Sequence, residues 1–311
     1  MDVIKNCRLC RYPLPEVAIT ATDLRFGIPD SYEIVQCNNC GLYQLQSDMD
    51  ETTLTEFYTR YYNFTEIINN WYSILRFTFF SIFGKAWTRI DSDISFHSQK
   101  GSGRLLDLGC NEGRNLVYYR NNGFDAEGLE LNPLAAEAAR KLNFKVHVGK
   151  IEDFVPVVQY DVVVLSNVLE HATNPTNMLK AVSKLLTPKG TIWISCPNVE
   201  SWQRYLFRRF WINWHVPFHI IHFSEKTMLH LLDIAKFRTI QLHYESPALW
   251  TAHSLIAALF SRQAHPTHQL RNPFLVGGLM FALRLLLFPL YWLANIFKKG
   301  DCLIVKAVRI K

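Results

Sequence analysis

The chain carries little charge and almost no charge asymmetry. Only 19% of its 311 residues are charged, and 33 Lys and Arg stand against 27 Asp and Glu, a net +6. A surplus that small and scattered, with no continuous basic stripe, does not mark a nucleic-acid binder. Disorder is excluded on the other side, because 49% of the residues are hydrophobic and can fill a core. Repeats and low-complexity runs are absent. Seven cysteines, an odd number, do not read as a secreted disulfide scaffold. The opening MDVIKNCRLC has no apolar signal-peptide core, so the expectation is a chain that stays in the cytosol. The length allows one large domain with additions, or two, at roughly 100–200 residues per domain.

What is present is a change of rhythm along the chain. Residues 1–50 hold four of the seven cysteines, and residues 51–100 read as an aromatic helical connector from Leu54 through Trp71 and Phe77 to Ile90. After a short linker at Ser98–Gly103, strand-like runs at Leu105–Leu108, Ala126–Glu130, Lys145–Val148, Tyr160–Leu165 and Thr191–Ser195 alternate with helical stretches. Those stretches begin near Glu112, Pro133 and Pro175. Apolar, β-branched runs between helices predict buried parallel strands. Thr239–Tyr244 and Leu303–Val308 fit two further strands. The expectation is an α/β, doubly wound, Rossmann-like sheet of seven strands over 101–245 and 301–311, interrupted by an apolar insertion at 246–300.

Leu105–Gly113 runs from a strand through a glycine-bearing turn into a helix. Its spacing is not the GxGxxG of a dinucleotide site, which requires close backbone approach to a pyrophosphate. Glu130 ends the next strand, 21 residues after Gly109. A carboxylate at that position in an open α/β sheet accepts hydrogen bonds from a ribose diol.

Over roughly residues 104–245 and 302–309 the chain resembles the class I S-adenosylmethionine-dependent methyltransferases. The resemblance implies that Asp107, Gly109, Asn111 and Gly113 wrap the methionyl part of the cofactor and that Glu130, with Leu131 beside it, binds the ribose. Tyr160–His171 matches the fourth strand and the loop after it, placing Asn167 beside the methionyl end. Two departures stand out. Asn111 replaces the usual middle glycine, a substitution a left-handed turn tolerates. Lys150 replaces a frequent acid, so adenine contacts are expected to shift to Ile151 or Glu152.

Methyl transfer from a sulfonium is an in-line displacement, governed largely by positioning. An oxygen or carbon nucleophile also needs a base near neutral pKa, most often histidine. Trp214–Ser224 offers His215, His219 and His222, and it resembles the P-x-H-L-x-x-F-[ST] stretch of relatives acting on sugars and quinone precursors, with His219 aligned to its histidine. The alternative for His219 is a cap on the helix starting near Ser224. His171 reads as a residue that shapes the cofactor pocket.

Cys7-x2-Cys10 and Cys37-x2-Cys40, separated by 26 residues, form two knuckles able to present four thiolates to one structural Zn2+. An iron–sulfur site and four free thiols are the alternatives. The sequence around Cys37–Tyr43 and Phe57–Tyr62 resembles a bacterial subgroup with an N-terminal zinc ribbon, which includes sugar C-methyltransferases and enzymes of polysaccharide biosynthesis. There Tyr61 or Tyr62 would line the pocket, a core position being the alternative for either. Cys110, Cys196 and Cys302 read as buried packing residues.

Phe274–Phe297 has 24 residues with one charge, Arg284, long enough to cross a bilayer. A single crossing would strand Leu303–Val308 on the far side of the sheet it must join. The insertion is therefore expected to dip in and return, lie in the interface, or pack on protein as a subdomain or dimer contact. Arg262, Arg271, Lys298 and Lys299, with Tyr291 and Trp292, favour the membrane surface; Trp71–Ile90, with Arg76, Lys85 and Arg89, has similar character. The combined expectation is methyl transfer to a sugar hydroxyl or carbon, nucleotide-linked or lipid-linked, on the cytosolic membrane face. A quinone or lipid headgroup is the second reading, and an RNA-binding methyltransferase-like module the third.

Overall fold

The computed structural model describes residues 3–16, 18–49, 51–61, 91–261 and 267–310. Tyr62, the stretch Trp71–Ile90 with Arg76, Lys85 and Arg89, and Arg262 lie outside the described residues, so the connector is described only at its two ends.

The N-terminal part forms strands β1 (Ala18–Thr22), β2 (Ser31–Gln36) and β3 (Tyr43–Leu45), followed by helix α1 (Glu51–Tyr61). The main part follows the strand–helix rhythm: β4 (Arg104–Leu108), α2 (Arg114–Asn121), β5 (Asp125–Glu130), α3 (Pro133–Arg140), β6 (Val146–Val148), β7 (Tyr160–Ser166), α4 (Pro175–Leu185) and β8 (Leu186–Pro197). Then come α5 (Trp202–Phe207), β9 (Ile221–His222), α6 (Glu225–Ile234), β10 (Phe237–Glu245), α7 (Ala248–Phe260), α8 (Pro273–Leu286), α9 (Phe288–Ile296) and β11 (Cys302–Arg309).

Seven strands form one sheet in the order β10-β11-β8-β7-β4-β5-β6. All run the same way except β11, which is antiparallel to both β8 and β10. Val162–Leu165 of β7 are buried without alternation, as strands covered on both faces must be. The chain leaves β4 toward β5 and returns on the other side at β7, so the strand order reverses beside β4. Ligands of open α/β sheets bind at such a crevice, off the carboxyl ends of the strands.

Two local differences from the sequence reading have simple causes. The helix expected near Glu112 begins at Arg114, because Gly113 has φ 78° and cannot belong to a right-handed helix. Strand β8 starts at Leu186 rather than Thr191, since Tyr160 of β7 already pairs with Leu186.

A second sheet has the order β1-β2-β3-β9, antiparallel throughout. Its last strand comes from the segment after β8, so the cysteine-bearing part shares a sheet with the main part. The helices of 246–300 differ among themselves. α7 is largely buried, α8 has no buried residue, and α9 buries only Tyr291 and Ala294. Among the described residues no single helix is long and apolar enough to cross a bilayer; α8 and α9 together reach that length but bend by 70°.

Gly128 lies mid-strand in β5, where a methyl group would overlap the Cys110 Sγ and crowd Leu116. Gly128→Ala is expected to lower stability by about 1–3 kcal/mol, the cost of overpacking a filled core. Adding Cys110→Ala should return most of that loss in a denaturant titration; a double variant as unstable as the single one would show the crowding lies elsewhere.

Candidate active site

Three residues in five adopt left-handed backbone after β4: Gly109 (φ 64°), Asn111 (φ 52°) and Gly113 (φ 78°). A side chain at Gly113 would place its Cβ 2.8 Å from that of Ala139, so glycine is required there by space as well as by conformation. Asn111 occupies the left-handed region that asparagine tolerates, and the turn survives the departure. The loop is fastened to the end of β5. Gly109 N donates to Leu129 O at 2.8 Å, and Asn111 N donates to Glu130 Oε2 at 2.8 Å. Glu130 Oε1 accepts from Asn132 N at 2.9 Å, and each carboxylate oxygen keeps acceptor capacity for a diol.

Asp107 is 1% exposed, and its Oδ2 has no hydrogen-bond partner. Burial, then the neighbouring Glu130 charge, holds its carboxyl well above the usual range. An orphaned buried oxygen beneath a left-handed glycine turn is a fit for the amino end of S-adenosylmethionine, which would supply the missing donor. Asn167 ends β7 in left-handed backbone, its N donating to Ser195 O at 2.9 Å. The strand ends thus bring Asp107, Gly109, Asn111, Gly113, Glu130 and Asn167 together. Ile151 is buried, whereas Glu152 and Leu131 are exposed at the rim.

Beyond the ends of β7 and β8 lies a cluster of imidazoles, His215, His219 and His222 buried and His171 half-buried. His171, His215, His219 and His222 sit within ring-centroid distances of 4.7 Å for His171–His219 and His215–His219, and 6.2 Å for His219–His222. His219 does not cap the helix after it. That role belongs to Ser224, whose hydroxyl accepts from Thr227 N while Thr227 Oγ1 accepts from Ser224 N. The His219 Nδ1 instead lies 2.8 Å from Asn213 O. A carbonyl only accepts, so the proton is on Nδ1 and Nε2 carries the lone pair. Nε2 points toward Glu170 Oε1 at 3.9 Å.

Glu170 is the residue whose role sequence reasoning missed. It is 1% exposed with both carboxylate oxygens unpartnered, and burial pushes its pKa up to about 8. Burial also lowers His171 to about 4 and His222 to about 3, and takes His215 and His219 well below the ordinary imidazole value. Acid and bases are therefore all uncharged at neutral pH. Ligand atoms of Glu170, His171 and His219 lie within 4.8 Å of one another, close enough to share one divalent cation.

Three supports hold this cluster. Tyr58 OH lies 2.8 Å from His171 Nδ1, bringing α1 over the site, and Phe26 packs edge-on against His215 and Phe218. Tyr61 packs against the neighbouring core. Behind His219, Asn213 Nδ2 and Trp211 Nε1 donate to the two oxygens of the buried Asp301, at 3.1 and 2.9 Å. Glu170 and Tyr58 had a signal in the sequence, since one adjoins His171 and the other precedes Tyr61; Asp301 had none.

The four N-terminal cysteines converge. Cys7 Sγ is 3.6 Å from Cys40 Sγ, and Cys10 Sγ is 3.5 Å from Cys37 Sγ, with all four sulfurs within 4.8 Å of one another. Each pair sits on a tight turn closed by Arg11 N to Cys7 O and Gly41 N to Cys37 O. Leu9 N donates to Cys7 Sγ at 3.4 Å. This donor set fits a tetrahedral, closed metal site. Cys110, Cys196 and Cys302 are buried, apart from this group.

A family model described as a methyltransferase domain matches residues 85–242, just over half of the chain. Among curated relatives, a ubiquinone biosynthesis O-methyltransferase of Photobacterium profundum is 29% identical over 112 residues, 33% of this chain and 47% of its own. One of the same name from Pectobacterium carotovorum is 28% identical over 123 residues, 35% and 52% of the two chains. The chain spans about half the length of the curated relatives it matches. A solved structure from Thermotoga maritima, titled as a SAM-dependent methyltransferase and possible histamine N-methyltransferase, is 15% identical. It aligns over 74% of this chain and 97% of its own, with a TM-score of 0.46.

The buried acid gives a signed pH dependence. Glu170 holds its proton in the folded chain up to about pH 8 but releases it near pH 4.5 when unfolded. Between those values the native state binds the extra proton, so stability falls as pH rises. Glu170→Gln removes that cost. Its melting temperature should exceed that of the parent progressively from pH 5 to 9, the difference vanishing below about pH 4.5. A constant offset across that window would contradict the buried neutral acid.

Proposed function

Since this chain belongs to the methyltransferase-domain family and takes S-adenosylmethionine as its methyl donor, we propose that its acceptor is a sugar hydroxyl or carbon, carried on a nucleotide or a lipid, with His219 as the base. One observation carries the reading: a cluster of uncharged imidazoles is packed together with aromatic rings beyond the ends of β7 and β8. Neutral imidazoles both donate and accept, which suits a ring of hydroxyls, while Phe26, Tyr58 and Phe218 suit its C–H faces.

When bound, S-adenosylmethionine supplies an electrophilic methyl group on a sulfonium. The chain's own work is then positional and protonic. Glu130 and the Asp107–Gly113 loop hold and orient the donor. Tyr58 and Phe26 close the far side and exclude water. His219 Nε2 takes the acceptor proton, with Asn213 O keeping Nδ1–H in place. The new Nε2–H of the resulting imidazolium faces the Glu170 carboxyl, 3.9 Å away, whose oxygen can accept from it while Glu170 keeps its own proton.

The four thiols support a structural zinc. Burial pushes Cys7 up to about 11 and raises Cys40 as well, whereas at the half-buried Cys10 burial is outweighed by hydrogen bonds from Asn39 and the Tyr12 backbone, which bring it down to about 6; Zn2+ would hold all four as thiolates and close the site. Arg8, next to Cys7, donates from its guanidinium to Thr173 O at 2.8 Å, so this centre braces the loop carrying Glu170 and His171.

The second reading is a quinone-precursor hydroxyl, favoured by the ubiquinone biosynthesis O-methyltransferases among the relatives. A planar phenol suits the same aromatic walls.

His219→Ala should lower kcat by about 10²–10⁴-fold while S-adenosylhomocysteine affinity stays unchanged. The assay follows S-adenosylhomocysteine release with nucleotide sugars, lipid-linked sugars and hydroxylated polyprenyl phenols. Turnover of phenols alone would install the second reading, and a His219→Ala enzyme at near-parental rate would remove the base. Elemental analysis of the purified chain should find stoichiometric zinc, which Cys37→Ser with Cys40→Ser abolishes; retained zinc in that variant would place the metal elsewhere.

A further inference from the structure

We propose that α8 and α9 form a bilayer-docking face that lies in the interface of an anionic membrane. Three observations carry this, none depending on which acceptor the site uses. First, the face is apolar and exposed along two consecutive helices. Phe274, Phe281 and Leu286 of α8, and Trp292, Ile296 and Phe297 on and after α9, are exposed, Phe274 by 72% and Leu286 by 76%. Contiguous exposed apolar surface of that kind marks an interaction site.

Second, the one charge within the stretch is withdrawn from that face. The Arg284 guanidinium donates to Ser246 O at 3.3 Å and lies 5.5 Å from the Tyr291 ring centroid, and Tyr291 is buried. Its charge points at the protein side, so the outer surface presents hydrocarbon alone. The cost of an arginine in an apolar helix, about 2.5–3.5 kcal/mol at a bilayer centre, does not apply to a guanidinium held there.

Third, the charge carried by the stretch itself has one sign. Residues 246–300 contain no Asp or Glu, and Arg271, Lys298 and Lys299 stand exposed at its edges. Two of these bases also have acidic partners off the stretch, Lys298 with Glu225 and Lys299 with Glu200. Trp202 N donates to Lys299 O, and the Trp202 ring lies 6.3 Å from that of Tyr291, which sets the start of α5 beside α9. Basic residues around an apolar face, with Trp292 exposed on it, complement anionic headgroups. Two copies of this chain meeting face to face would bring like charges together. The 70° bend and the return of β11 to the sheet fit helices lying in the plane of the surface.

The test is flotation of the full chain with phosphatidylcholine vesicles and with vesicles containing phosphatidylglycerol, at low and high salt. The parent should float with the anionic vesicles and keep part of that binding in high salt, because apolar insertion is not screened while the basic rim is. Phe274→Glu with Leu286→Glu, both on exposed positions, should cut vesicle binding about tenfold or more and leave S-adenosylhomocysteine affinity unchanged. Three results would overturn the proposal: a parent that does not float, a double variant that floats equally well, or a parent dimer that the variant dissolves without any vesicle binding. Cofactor binding and turnover of a water-soluble acceptor report separately on the methyl-transfer reading.

Discussion

Two main-chain hydrogen bonds at Ile220 hold the active site together. Its N donates to Glu170 O at 2.9 Å, and its O accepts from Leu45 N at 2.8 Å. One residue therefore ties the loop after β7 to the sheet built by the cysteine-bearing part. His219 precedes it and β9 follows it, so the proposed base lies at the junction of the two sheets.

Burial then does what sequence cannot display. His171, His219 and Glu170 belong to residue types that ordinarily charge between pH 4 and 7. Here desolvation moves the acid up and the imidazoles down. The site is chemically a set of neutral donors and acceptors. A single carbonyl, that of Asn213, selects which nitrogen of His219 carries the proton and which keeps the lone pair.

Much of the fold was legible because parallel strands covered on both faces announce themselves as unbroken apolar runs. All seven strands of the large sheet appear within a few residues of where the β-branched runs place them, and Asp107, Gly109 and Glu130 fall on adjacent strand ends as their spacing implies. The second sheet was not legible. Its strands are short, and β9 is a two-residue piece whose partner, β3, lies some 180 residues earlier; periodicity carries no information about pairing at that distance. Glu170 stood in plain view beside His171, yet its depth of burial, which gives it a role, is a tertiary property. The same holds for His219, where helix capping and base chemistry read alike until Ser224 and Thr227 are seen to satisfy the helix end.

The turn that returns the chain from α9 to β11 ends at Asp301. Asn198 N and Nδ2 donate to the carbonyls of Asp301 and Gly300 at 2.8 and 2.9 Å, and the Asp301 carboxylate holds Trp211 and Asn213. The carbonyl of Asn213 in turn holds His219. The turn after α9 and the proposed base are thus the two ends of one short chain of hydrogen bonds that passes through the Asp301 carboxylate.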